Sequence, residues 1–225
     1  MPTDAETLAG FDGITRLFPL PELVLFPGID QCLHVFEHRY RQMAADALAG
    51  DGLIALVALS SDWEEQYDGR PAIESVACLA RVVASVKLED GRYDLRLRGL
   101  ARVRVECELD RPEKMYRMGR CVVIPDQLPT DIAEATCGRA LLRAALLSRF
   151  DPDGEAHQQL CELFDGEATL GQVCDQLSHG LPLPVELKQQ LLAEPSVGIR
   201  AEILTHALRP KPRPTRPFPP EFSVN

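Results

Sequence analysis

Apolar residues recur in two different rhythms along this chain, and the rhythm changes near residue 129. Before that point the apolar runs are short. Leu17, Phe18 and Leu20 form one, and residues 23–26 (LVLF) form a second that Pro27-Gly28 closes as a turn. Phe36, Tyr40, Met43, Ala44 and Ala47 then recur at helical spacing with Gly50 as a stop, which predicts one inserted helix. Residues 53–59 (LIALVAL) are apolar throughout, the mark of a strand buried on both faces. Val82, Val83 and Val86 lead to Glu89-Asp90-Gly91, after which Tyr93, Leu95 and Leu97 alternate with Asp94, Arg96 and Arg98. Asp-Gly between two β-rich runs predicts a hairpin whose central residues both tolerate positive φ. Beyond Gly99, Val103, Val105, Cys107 and Leu109 alternate with charged neighbours, so one face meets a core and the other meets water. Residues 121–124 add a last strand, closed by Pro125. Roughly seven short strands with one helix predict a folded-over sheet or partial barrel.

After Pro129 the rhythm is helical. Ile132, Ala135, Leu142, Ala145 and Leu146 fall near one face of a helix over 133–150, which Asp151-Pro152-Asp153-Gly154 breaks. Shorter helices are predicted at 156–164 and 170–177, with Gly180 as a cap residue. Pro184 suits the start of a helix running to 193, and Pro195-Ser196 opens a last one with Val197, Ala201, Leu204 and Leu208 at helical spacing. The class is therefore α+β: a flexible lead-in over 1–14, a β-rich part over 15–128 and a helical part over 129–208. Residues 209–225 differ in kind. Six of the eleven residues 210–220 are proline, with Arg209, Lys211, Arg213 and Arg216 interleaved, which predicts an extended, solvated arm.

Composition narrows the choice of partners. The 225 residues can bury a sizeable core, but a net charge of −10 argues against nucleic acid and against anionic membrane surfaces. No apolar run approaches the roughly 18 residues a membrane span requires. The first 13 residues carry Asp4, Glu6 and Asp12 and lack an apolar core, so they do not read as a signal peptide. Seven cysteines, odd in number and without a CxxC pair, read as reduced thiols of a cytoplasmic chain.

Candidate chemistry is sparse. His34-Val35-Phe36-Glu37-His38 matches H-x-x-E-H, a zinc signature that works only with both histidines on one helical face. Here the match straddles a strand end and a helix start, and the pair reads as structural. A P-loop is excluded because Gly-Lys never occurs, and no G-x-S-x-G elbow exists. The expectation is no catalytic residue, no cofactor and no metal.

Residues 17–28 (LFPLPELVLFPG) and 33–43 (LHVFEHRYRQM) closely resemble the opening of the Lon protease N-terminal domain. Residues 52–57 (GLIALV), 86–91 (VKLEDG) and 97–103 (LRGLARV) agree in the same order. Residues 181–192 (LPLPVELKQQLL) are similar to the helical part that follows. The resemblance implies a PUA-like pseudo-barrel followed by a helical bundle, in a stand-alone domain without the ATPase and peptidase modules. It further implies a non-catalytic polypeptide-binding role, as an adaptor or holdase, toward unfolded or exposed polypeptide segments, with a homo-oligomer as a further partner. An enzyme with an unrecognised site, or RNA binding by analogy with other PUA-like folds, are the alternatives. Polypeptide recognition draws on aromatic and flexible apolar side chains. The candidates are Trp63 and Tyr67 in the polar stretch 60–71, and Met115, Tyr116 and Met118 before the 121–124 strand, bordering a groove between sheet and helices.

Overall fold

The computed structural model describes residues 3–60, 63 and 70–209; Tyr67 and the proline-rich run beyond Arg209 lie outside the described residues. The strands are β1 (Ile14–Leu20), β2 (Asp30–Val35), β3 (Leu53–Leu59), β4 (Ile73–Lys87), β5 (Tyr93–Leu109) and β6 (Arg117–Ile124). They run in the order β2-β5-β4-β3-β1-β6, and β6 also pairs back onto β5. Five strands therefore close a ring, with β2 attached outside it. Closure follows from the length of β5, whose 17 residues serve two partners in succession. Its first part, from Tyr93 to Arg98, pairs with β2, and its second part, from Arg102 to Leu109, pairs with β6.

The handover falls at Gly99. A Cβ there would lie 2.2 Å from the Phe26 carbonyl oxygen. The Gly28 amide donates to Gly99 O and the Gly99 amide donates to Ile29 O, both at 2.8 Å. The glycine thus reflects close backbone approach, and the break in the sequence pattern there is not a strand end. Two runs expected as separate short strands are continuous, with register shifts between Leu79 and Ala80, between Val82 and Ala84, and between Val105 and Cys107. Residues 23–26 form no ladder; Val24, Leu25 and Phe26 instead sink into the core as an extended segment. The hairpin loop has three residues between Leu88 and Arg92, and only Gly91 takes positive φ (+80°).

Each strand of the ring sends a side chain inward: Leu17, Ala55, Ala77, Val103 and Cys121 are all buried in one cluster. Leu8 and Phe11 pack against it, carried by α1 (Asp4–Ala9) and the residues after it. Within the lead-in expected to be flexible, residues 4–9 are therefore an anchored helix. Thr3 and Glu6 form a capping box, and Asp4 accepts from Arg81 at 2.7 Å and Arg98 at 3.0 Å. The opposite faces of the strands, with Ile54, Leu56, Leu95 and Leu97, belong to a larger core beneath α2 (His38–Ala49) that continues into the C-terminal helices. Burial of β3 on both faces explains its unbroken apolar run.

The helices that follow are α3 (Ile132–Leu147), α4 (Glu155–Asp165), α5 (Leu170–Gly180), α6 (Val185–Ala193) and α7 (Val197–Ala207). Asp131, Thr169 and Ser196 cap the first, third and last through their side-chain oxygens. Gly180 is the last helical residue of α5, with Leu181 in the cap position. On α3, Leu142 and Leu146 are buried whereas Ile132 is exposed.

A buried ionic cluster locks helices to sheet. Arg102 on β5 donates to both Asp175 carboxylate oxygens on α5, and its Nε donates to Leu192 O at 3.0 Å. Arg200 on α7 donates to the same carboxylate at 2.6 Å and pairs with Asp126 at 2.6 Å. Burial pushes the Asp175 carboxyl above its usual range, while the guanidiniums of Arg102 and Arg200 pull it back toward the ionised form. Among the described residues no helix is long and apolar enough to cross a membrane.

Candidate functional site

A cavity of about 570 Å³ opens where β1 ends, β2 turns into α2, and β5 crosses over to β6. Local sequence builds it. Pro21, which has no N–H to donate, follows the last residue of β1. Glu37 sits in extended backbone as the N-cap of α2, which turns the chain sharply after β2. The floor is apolar: Phe18, Leu20, Leu33, Val35, Tyr40 and Tyr116, with the Phe18 and Tyr40 rings 4.5 Å apart. Phe36 and Met115 stand at the mouth, 62% and 52% exposed, and half-buried Trp63 lines the wall.

Basic side chains dominate the rim in an otherwise acidic protein. Arg39, Arg70, Arg111, Lys114 and Arg117 line the cavity, against Glu37 and Asp110. Most are held by carboxylates. Arg117 and Arg70 both donate to Glu108, Lys114 donates to Asp46 at 2.9 Å, and Arg39 donates to Glu37 at 2.9 Å while lying 4.5 Å over the Tyr40 ring. Arg111 has no carboxylate partner among the described residues.

Three of the five residues singled out from the sequence, Trp63, Met115 and Tyr116, meet at this cavity. Met118 does not line it; it lies within β6, in register with Arg16 and Leu109. Tyr67 lies outside the described residues. Two corrections concern geometry. The cavity is walled by β1, β2, the start of α2 and the β5–β6 connection, not by the C-terminal helices. Tyr116, whose ring could either meet a peptide or pin its loop to the barrel, is 6% exposed and donates its hydroxyl to Asp46 at 2.7 Å, so it supports the wall. Helical spacing from Tyr40 predicts Phe36 as the first core residue of the inserted helix. It precedes the N-cap Glu37, and that position outside the helix was the available signal for its exposure.

The carboxylates behind the rim carry a pH dependence. Hydrogen bonds from Arg117 hold Glu108 below its usual range, with Arg70 adding to the effect. Lys114, then Tyr116, do the same for Asp46. A depressed folded-state pKa contributes stability above the unfolded value of about 4 and loses it as pH falls through the folded value. The difference in Tm between the native chain and a Glu108→Gln variant should therefore be positive near neutrality and shrink as pH falls below about 4. A difference that stays constant into acid would show that Glu108 contributes no charge-dependent stability.

His34 lies on β2 with Nδ1 2.6 Å from Asp94 and Nε2 3.1 Å from Arg92, whereas His38 opens α2. Both ring nitrogens of His34 are engaged with its neighbours on the β4–β5 hairpin. Among the described residues no group of three or more His, Cys, Asp or Glu side chains is arranged to hold a metal ion.

A ring of strands with an appended helical part and an apolar, basic-rimmed cavity is the architecture of a binding domain. The family model for the ATP-dependent protease La (LON) substrate-binding domain matches residues 15–209, and the chain belongs to that family. Lon protease of Anaeromyxobacter dehalogenans is 26% identical over 198 residues, which is 88% of this chain and 23% of that protein. Lon protease 2 of Myxococcus xanthus is 25% identical over 88% of this chain and 24% of its own length. The chain thus spans about a quarter of these curated relatives. The crystal structure of the Lon N-terminal domain protein from Xanthomonas campestris aligns with a TM-score of 0.60 and 26% identity, over 86% of this chain and 97% of that one. The N-terminal domain of Mycobacterium avium complex Lon protease shares the fold, with a TM-score of 0.65 at 18% identity over 87% and 97% of the two chains.

Proposed function

We propose that this protein is a non-catalytic polypeptide-binding module that holds exposed apolar segments of unfolded chains in the cavity between β2 and the β5–β6 connection, as an adaptor or holdase in the cytoplasm. The observation that supports this reading most directly is the cavity itself. Its floor is apolar, its mouth carries Phe36 and Met115, Trp63 lines its wall, and it lies in a domain of a substrate-binding family. Aromatic and methionine side chains suit such a role because they contribute large contact areas and adapt to varied sequences. The chain supplies the binding surface, while ATPase or peptidase chemistry belongs to other modules.

Capture of a labelled, permanently unfolded protein such as reduced and carboxymethylated α-lactalbumin tests the reading. Trp63→Ala and Phe36→Ala should each weaken capture several-fold, with Tm close to that of the native chain for Phe36→Ala, whose ring is exposed. Tyr116→Ala should behave differently. It removes a buried ring and leaves Asp46 short of a donor, with a cost of about 3 kcal/mol in stability. Unchanged capture by both Trp63→Ala and Phe36→Ala would overturn the assignment of the cavity.

A further inference from the structure

Resting on that reading, we infer that the bound segment is held as an added β-strand along the outer edge of β2, with alternate apolar side chains turned into the cavity and a carboxylate meeting Arg111.

The edge follows from hydrogen-bond bookkeeping along β5. Gly99 bonds toward the segment that leads into β2, through Gly28 and Ile29. The β2–β5 ladder runs without a register shift from Arg98 to Tyr93, so Leu97, Leu95 and Tyr93 bond on that same side. Their partners are Gln31, Leu33 and Val35. In an antiparallel pair these alternate residues exchange both backbone bonds, and the residues between them point their amides and carbonyls the other way. Cys32 and His34 therefore project their backbone groups away from β5. The Cys32 carbonyl confirms the direction, since it accepts from the Gln31 side chain at 2.9 Å and not from the ladder. Among the described residues β5 is the one strand that pairs with β2. The Cys32 amide and both backbone groups of His34 thus form a short template for a further strand.

The cavity makes this edge selective. Leu33, His34, Val35 and Phe36, from the end of that strand, all line it. Strand addition gives affinity through main-chain bonds, which any sequence can make, and specificity through pockets for alternate side chains. That combination suits a module that must accept many unfolded sequences. Charge supplies the second preference. Five cations against two acids surround the cavity in a chain of net charge −10, and Arg111 is the cation without a carboxylate partner among the described residues. An apolar, alternating segment with an acidic side chain or its own C-terminal carboxylate complements this face.

The probe is a short labelled peptide with leucines at alternate positions, serines between them and glutamates at one end, read by fluorescence anisotropy. N-methylation of every second amide on one edge of the peptide should weaken binding roughly tenfold or more, since the bond to His34 O is lost and the methyl groups keep the peptide from closing on the edge. Methylation of the other edge should leave binding unchanged. Cys32→Pro removes a donor that β5 does not use, and proline is tolerated on an edge strand; it should weaken binding similarly, whereas Cys32→Ala should not. Replacing the glutamates with lysines, or Arg111→Glu in the protein, should weaken the peptide several-fold. An amidated and a free C-terminus, compared on a peptide without glutamates, separate the two sources of carboxylate. Equal binding of both methylated peptides would overturn strand addition even if Cys32→Pro fails to fold. If Trp63→Ala then still weakens binding, the cavity reading stands without the strand; if neither changes anything, both fail. Indifference to every charge change would overturn the acidic preference.

Discussion

Asp175→Ala is expected to lower Tm by on the order of 10 °C, a larger loss than any surface substitution in the chain. The carboxylate receives hydrogen bonds from Arg102 and Arg200, and both guanidiniums are almost fully buried. Removing it leaves two buried cations with only the partly exposed Asp126 between them. Breaking one partner of a buried ion pair costs about 3–5 kcal/mol, because the remaining charge stays desolvated. Each kcal/mol corresponds to about 2–4 °C in a chain of this size. A triple variant with Arg102→Met, Arg200→Met and Asp175→Leu removes every charge at once and should recover much of the loss, as apolar replacements of buried ion clusters often do. A triple variant as unstable as Asp175→Ala would show that packing geometry, and not uncompensated charge, sets the cost.

Gly99→Ala should be nearly as damaging, for a steric reason. The added methyl would meet the Phe26 carbonyl oxygen at 2.2 Å and its carbon at 2.9 Å, with Cys78 Sγ at 3.1 Å on another side. None of these is the end of a flexible side chain. The segment that carries Phe26 is tied to this glycine by two backbone hydrogen bonds, so relief requires those to lengthen and Phe26 to shift in the core. Overpacking of this kind costs about 1–3 kcal/mol and occasionally more; backbone on the opposing side puts this site at the upper end. Gly91→Ala is the instructive comparison. There the nearest atoms belong to the Arg41 guanidinium, which can swing away, and the strain comes from φ at +80°. Denaturant melts of the two variants should rank Gly99→Ala as the less stable.

These two sites differ in how far the sequence disclosed them. The strands of the ring were legible because residues 93–98 and 102–109 each alternate and residues 53–59 are apolar throughout. The continuity of β5 through Gly99 was not, since a glycine inside a strand pattern reads equally as an end or as close contact, and its partner Phe26 lies in a segment that resembled a strand of its own. The ionic cluster was partly legible. Asp175 sits on the apolar stripe of its helix between Cys174 and Leu177, and Arg200 beside Ala201 on that of another. Opposite charges on two buried stripes signal a pair. Arg102 gave no such hint, falling where its strand shows charges to water at Arg96 and Arg104. At the cavity, Trp63, Met115 and Tyr116 were found from side-chain type alone, but their roles were not. Whether a ring lines a mouth or supports a wall depends on which backbone approaches it, as Asp46 does for Tyr116.

Closure of the ring also sets a timetable for the ribosome. β1 takes its place beside β6 through pairs such as Leu17 with Arg117, a hundred residues apart. At a synthesis rate of roughly 5–20 residues per second, β1 emerges several seconds before the strand that completes its antiparallel edge exists. During that interval the nascent chain can pair β1 with β3 and fold the local β4–β5 hairpin, but it holds Leu17 and the rest of the future interior open to solvent. A chain whose mature form is proposed to hold unfolded polypeptides thus passes through a stage in which it presents the kind of segment it would bind.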